Sequence, residues 1–165
     1  MNHASFDFTD AVVLTTGGDS GIGLAMTRAF LDAGATVAVT GRRKDRLEQA
    51  LEGYPAERTP AIPADVSDGA QVAGLVRPVV DRFGRLDVVV SNAAEYATIR
   101  SRSSATITDF VRSLALGWGE HGVRLDAVAP VFTPTDLTEG VGRDEQSLAP
   151  FVNRIARGRP ARPGV

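Results

Sequence analysis

Thr16-Gly17-Gly18-Asp19-Ser20-Gly21-Ile22-Gly23 is the stretch whose reading decides the fold. The run before it, Ala11-Val12-Val13-Leu14-Thr15, is apolar enough for a buried parallel strand. Leu24 to Ala33, after it, reads as a helix with Leu24, Phe30 and Leu31 among its apolar positions. Strand, glycine turn and helix form the context of a dinucleotide-binding loop. Glycines at 17, 21 and 23 allow a tight turn and let a pyrophosphate approach without meeting a Cβ. The helix N-terminus then offers free N–H groups and the positive end of its dipole. Gly17 and Gly21 stand two residues further apart than the first two glycines of GxGxxG, so a plain strand–helix turn is the alternative reading of this stretch taken alone.

The rest of the composition narrows the choice. A chain of 165 residues is long enough for one domain with a real core and too short for two. We therefore expect one nucleotide-binding domain over residues 1–165, with 1–8 and 158–165 frayed. A hydrophobic content of 43% and a charged content of 23% are those of a soluble globular protein. The net charge of −2 offers nothing to nucleic acid or an anionic membrane. There is no cysteine, which excludes disulfides and thiol chemistry. Residues 1–10 lack the pattern of a signal peptide and no run is long enough to span a bilayer, so the expected compartment is the cytoplasm. His3 and His121 have no partner pattern for a metal site, and none is expected. Lys44 is the sole lysine, and Tyr54 and Tyr96 are the only tyrosines.

Further along, Gly34 stops the first helix and Ala35–Thr40 is a second strand. Gly41-Arg42-Arg43 and a polar helix over 44–52 follow. An acidic residue at the end of this strand would bind the adenosine 2′-hydroxyl of NAD. Arginines stand there instead, and a guanidinium suits a 2′-phosphate, so the expected cofactor is NADP over NAD. The alternative is a pair of solvated arginines at a helix start. A short third strand over 58–63 has prolines that fit a sheet edge, and Asp65-Val66 follows it. Residues 68–83 have a helical pattern with Pro78 inside, where proline costs about 3 kcal/mol unless the helix kinks or restarts. After Gly84, Leu86–Val90 is a fourth strand ending in Ser91-Asn92-Ala93-Ala94. These repeated strand–helix units predict an α/β fold of Rossmann type, a doubly wound parallel sheet.

With these segments in place, the chain resembles the short-chain dehydrogenase/reductase family. Thr16-Gly17-xxx-Gly21-Ile22-Gly23, Asp65-Val66 and Ser91-Asn92-Ala93-Ala94 are similar to its TGxxxGIG, DV and NNAG elements. Val123-Arg124-Leu125-Asp126-Ala127-Val128-Ala129-Pro130 resembles its VRVNAVAPG strand, and Thr135 falls at the threonine of its PGxxxT motif. The resemblance implies that Gly17, Ser20, Gly21, Ile22 and Gly23 contact phosphates and Arg42 the adenosine end. It further implies that Asp65 and Val66 flank adenine, Asn92 and Ala93 the ribose, and Thr135 the nicotinamide amide. Ala94 and Val131 replace family glycines, and Asp126 replaces an asparagine.

One large interruption separates this chain from the family pattern. Only a handful of residues, Glu95 to about Arg102, stand between Ala94 and Thr106–Leu116, a segment resembling the body of the helix that carries YxxxK. Arg100 falls at the tyrosine position and Ser104 at the lysine position. A helix–strand unit bearing the family's asparagine and catalytic serine is missing. The expected sheet therefore has about five strands, with 123–128 beside the fourth. The helix over 106–118, which the resemblance places at an oligomer interface, is left with an exposed apolar face.

In the family, hydride passes between a nicotinamide and a carbonyl or alcohol carbon while tyrosine moves the proton beside a lysine. The unperturbed tyrosine pKa near 10 makes that cation important. With Lys44 as its sole lysine, this chain contains no YxxxK. Tyr96 and Arg100 have the i,i+4 spacing that a helix would align, and they are the candidate catalytic pair; an ordinary loop tyrosine is the alternative. Three readings follow: an oxidoreductase of altered activity on an unknown small molecule, a catalytically inactive NADP-binding module, or a fragment without function of its own.

Overall fold

The computed structural model describes residues 5–93, 116, 119–121, 124, 126–128, 130, 132–138 and 145–162. Contacts divide the chain into two units: Met1–Ala93 with Pro134–Glu139 and Arg162–Val165, and Ala94–Thr133 with Gly140–Ala161.

The first unit is built on β1 (Val12–Thr16), β2 (Thr36–Gly41), β3 (Ala61–Pro63) and β4 (Val88–Val90). They form a parallel sheet in the order β3-β2-β1-β4. The continuous apolar runs of β1 and β2 are explained by burial on both faces, the usual condition of a parallel sheet. On one face Val13, Val37 and Val39 pack with Leu31, Leu47 and Leu51. On the other, Val12, Leu14 and Ala38 pack with Ala64, Leu75 and Val79. Each buried Val or Leu side chain contributes about 1.5–3 kcal/mol.

Local chemistry sets the connections. α1 (Gly21–Asp32) ends where the Arg58 guanidinium donates to the carbonyls of Leu31 at 2.8 Å and Ala35 at 2.7 Å. A cation at that end complements the helix dipole and occupies carbonyls that lack helical partners. Phe8 is tied to the same corner, its N–H donating to Ala33 O and its ring edge-on to Phe30. α2 (Lys44–Ala50) buries Leu47 and Ala50.

The third strand pairs from further back than its three residues suggest. The N–H groups of Val37 and Val39 donate to the carbonyls of Arg58 and Pro60. Pro60 accepts from Val39 N and Pro63 stands opposite Gly41 in register, both on the outer strand of the described sheet, which suits the edge predicted for them. The helical pattern over 68–83 is split into α3 (Gly69–Ala73), capped by the Asp68 carboxylate, and α4 (Val76–Phe83). The restart puts Pro78 in the first turn of α4, where its missing N–H costs nothing.

The expectation of about five strands is met by four among the described residues. Arg124 and Asp126–Val128, expected as the fifth, have no regular structure, and Val128 is 89% exposed. A strand is held by a ladder and a buried face, and an apolar side chain left in water gains neither.

In the second unit, described in part, α5 (Glu145–Val152) sets the Phe151 ring 5.1 Å from that of Phe132. The Ala161 N–H donates to Phe132 O at 3.1 Å. No helix among the described residues is long and apolar enough to cross a membrane.

Candidate dinucleotide site

In the order β3-β2-β1-β4 the succession of strands, all parallel, switches from one side of β1 to the other between β3 and β4, and a doubly wound sheet takes its ligand outside the carboxyl ends of the strands at such a switch point. The loop 17–20 lies there. Gly17 and Gly21 have φ of +62° and +53°, a region that L side chains enter at a cost. Gly23, inside α1, approaches the loop so closely that a Cβ would collide with the Gly17 carbonyl oxygen and Asn92 Nδ2. Ser20 is the N-cap of α1, yet its side chain makes no capping bond and the first turn holds no acidic residue. The N-terminal N–H groups and the dipole of a twelve-residue helix are thus open to an anion. Ile22 is half-buried in that first turn.

A second set of bonds braces the loop. Thr16 Oγ1 accepts from the N–H groups of Asn92 at 3.0 Å and Ala93 at 3.1 Å and donates to Val90 O at 3.4 Å. Asn92 Nδ2 donates to the carbonyls of Thr16 and Gly17, both at 3.2 Å. Ala93 backs Gly17, its Cα 3.0 Å from where a Gly17 Cβ would stand. Asn92 and Ala93 therefore act on the glycine loop itself, the Asn92 amide being spent on carbonyls. Thr135 faces the N-terminus of α1, its Cγ2 3.1 Å from a Cβ built on Gly21. Its own turn is closed by Thr138, whose hydroxyl accepts from Thr135 N at 2.9 Å.

At the ends of β2 and β3 lies an open cleft of about 340 Å³ lined by Arg42, Pro63, Ala64, Asp65 and Gln71. Asp65 Oδ1 accepts from the Ser67 N–H at 2.9 Å and the Ser67 hydroxyl at 2.8 Å. Those bonds, with help from the Arg42 charge, hold its carboxyl below the usual carboxylate range, so it is an anion at neutral pH. Gln71 Oε1 accepts from Asp65 N at 2.9 Å, fixing the cleft floor. Val66, next along, is exposed.

Sequence reasoning put Gly17, Gly21, Gly23, Arg42, Asp65, Asn92, Ala93 and Thr135 at one end of the sheet, and they do gather within this unit. It missed Gln71, for which the signal was Asp68-x-x-Gln71, a cap pattern that turns the glutamine back toward the preceding loop. It also missed the bracing hydroxyl of Thr16, and Asp19, which pairs with Arg43 at 4.0 Å. Tyr96, Arg100 and Ser104 lie outside the described residues, as does the helix over 106–118 apart from Leu116, which is helical. The sole lysine, Lys44, starts α2 and pairs with Glu48 at 3.6 Å.

Sheet order, core on both faces of the sheet and the strand–glycine loop–helix unit together define a protein of the doubly wound α/β class. Residues 11–106, more than half of the chain, match the family model for short chain dehydrogenase, and the chain belongs to that family. It is similar to meso-2,3-butanediol dehydrogenase of Serratia marcescens, 24% identical over 212 positions that cover 94% of this chain and 84% of that protein. An alignment of 212 positions against 165 residues leaves at least 47 positions of that relative opposite gaps, in keeping with an interrupted member. A short chain dehydrogenase/reductase of Colletotrichum higginsianum is 43% identical over 83 residues, 49% of this chain and 31% of that protein. The 3alpha-hydroxysteroid dehydrogenase of Mediterraneibacter gnavus is 36% identical over 86 residues, 50% and 34%. The match to these two spans about a third of their length. The fold is shared with a short-chain dehydrogenase/reductase structure from Brucella melitensis (TM-score 0.87, 18% identity, 98% of this chain and 87% of that one). It is shared as well with one from Mycobacterium marinum (TM-score 0.83, 21% identity, 97% and 86%).

Proposed function

We propose that this chain binds a nicotinamide dinucleotide, NADP before NAD, and that binding rather than turnover is the function it has kept. The observation that carries the reading is the uncapped N-terminus of α1 behind Gly17 and Gly21, with the Arg42–Asp65 cleft at the next two strand ends. These residues fit the cofactor: Gly17, Ser20, Gly21, Ile22 and Gly23 at the pyrophosphate, Arg42 at the adenosine 2′-phosphate, Asp65 and Val66 at adenine. Asn92 and Ala93 hold the loop beside the ribose, and Thr135 stands toward the nicotinamide half. The nicotinamide, when bound, supplies hydride exchange with a carbonyl or alcohol carbon. On the protein side, the family's proton carrier is a tyrosine next to a lysine, and Lys44 is committed to α2.

Titration with NADPH tests this directly. A ligand present at a hundred times its Kd, binding only the native state, stabilises by about 2.7 kcal/mol, which for a chain of this size raises Tm by about 5–10 °C. The expected result is that shift without measurable oxidation of NADPH by a panel of carbonyl compounds. No shift with either dinucleotide sinks the reading.

Turnover abolished by Tyr96→Phe would favour the second reading, an oxidoreductase working through Tyr96 and Arg100 on a small-molecule carbonyl or alcohol; their i,i+4 spacing supports it. A cytoplasmic location, no nucleic-acid partner and self-association through 106–118 complete the proposal. The net charge of −2 and the 87% exposed side chain of Leu116 support the last two.

A further inference from the structure

The acidic group that β2 lacks in sequence stands at its end in space. Gly41 closes β2 without a side chain, and a Cβ built there lies 3.2 Å from Asp19 Oδ1. Asp19 belongs to the glycine loop, 22 residues earlier, and reaches across so that its carboxylate sits over the last residue of the strand. Its side chain is only 12% exposed, and Oδ2 lies 4.0 Å from Arg43 Nη2. Asp19, Arg42 and Arg43 thus surround the strand terminus where a doubly wound fold meets the adenosine ribose.

We propose that Asp19 is a specificity-determining residue of this site: its carboxylate accepts from the ribose 2′-hydroxyl and opposes a 2′-phosphate. Arg43 positions that carboxylate over Gly41 and offsets part of its charge. Arg42 favours NADP and Asp19 limits the margin, so the chain takes NAD as well. A site that discriminates by repulsion as well as attraction loses selectivity in a defined direction when the repelling group is removed. Arg43 is exposed and the pair is long at 4.0 Å, so the ion pair itself adds little to folding, and an isosteric amide replaces the mostly buried carboxylate without changing its shape. This inference rests on the dinucleotide reading above.

The test is to measure Kd for NADPH and NADH by calorimetry on the full chain and on Asp19→Asn, which keeps the shape and removes the charge. Wild type is expected to bind both, and the variant to raise the ratio of NADPH to NADH affinity about tenfold, chiefly through tighter NADPH. An unchanged ratio, with both dinucleotides still bound, overturns the role of Asp19 and leaves the cofactor reading standing. Failure of wild type to bind either overturns both. Asp19→Ser, compared at matched unliganded Tm, gives the same readout if Asp19→Asn folds poorly, and an unchanged ratio there is equally fatal.

Discussion

Val37-Ala38-Val39 in β2 and Val88-Val89-Val90 in β4 are nearly interchangeable as sequence, yet the sheet treats them differently. All three residues of the first are fully buried, whereas Val89 of the second is 57% exposed. β2 lies between β1 and β3; β4 closes the sheet among the described residues. The related run at 123–128 goes further, with Val128 in water and no strand at the described positions. A β-branched run is an offer of a strand, and neighbours on both sides turn the offer into buried area and ladder bonds. The glycine loop follows β1, a strand with neighbours on both sides, and is braced from the end of β4 by Asn92 and Ala93.

Substitutions can break or sharpen that contrast. The largest effect is expected in the central strands: Leu14→Ala, which empties a fully packed site, costs about 3 kcal/mol in urea denaturation. A cost below about 1 kcal/mol would remove the distinction between centre and edge. Next comes the junction of loop and helix. Gly23→Ala drives a methyl into the Gly17 carbonyl and the Asn92 amide, costs about 2 kcal/mol, and weakens NADPH at least about tenfold because the cradle must open.

A smaller effect is expected where β4 is clipped to β1. Asp87 Oδ2 accepts from Val12 N at 2.9 Å, Asp87 N donates to Val12 O at 2.9 Å, and Arg85 forks onto the carboxylate. The Arg85 bonds, then the Val12 N–H, hold the Asp87 carboxyl below its usual range. Because the folded value is the lower one, the stabilisation is present above the unfolded carboxylate pKa and is lost as pH falls through the folded value. Asp87→Asn should therefore cost about 1 kcal/mol at pH 7 and flatten the loss of stability as pH falls below the ordinary carboxylate range. An acid limb as steep as that of wild type would show that the clip carries no linked proton. The smallest effect is Val89→Thr, under about 0.5 kcal/mol, the level of a surface change. A loss comparable to Leu14→Ala would mean that β4 is covered in solution.

Much of this was legible because it is local. The apolar runs of β1 and β2, the glycine loop, the stop at Gly34 and the edge prolines of β3 each act within a few residues, and periodicity reports them. The restart that rescues Pro78 was readable as one of two options; the stop of α3 at Gly74 and the start of α4 after Leu75 settled it. Less legible was whatever depends on partners far along the chain. The run 123–128 has strand composition, and nothing in its own residues says whether a neighbour will pair with it. Thr16 acts on backbone groups 74 to 77 residues away, so its residue type alone did not mark it.

By itself the sequence determined the strand–loop–helix unit at 11–33, the family pattern along the chain, and the lack of any YxxxK, since a sole lysine at position 44 cannot stand four residues after a tyrosine that is not there. Only the tertiary structure decided that β4 ends the described sheet and that the carboxylate at the tip of β2 comes from Asp19. Periodicity and composition are properties of neighbouring residues, but burial of a strand face and the reach of a side chain across a missing Cβ depend on backbone brought together from distant positions.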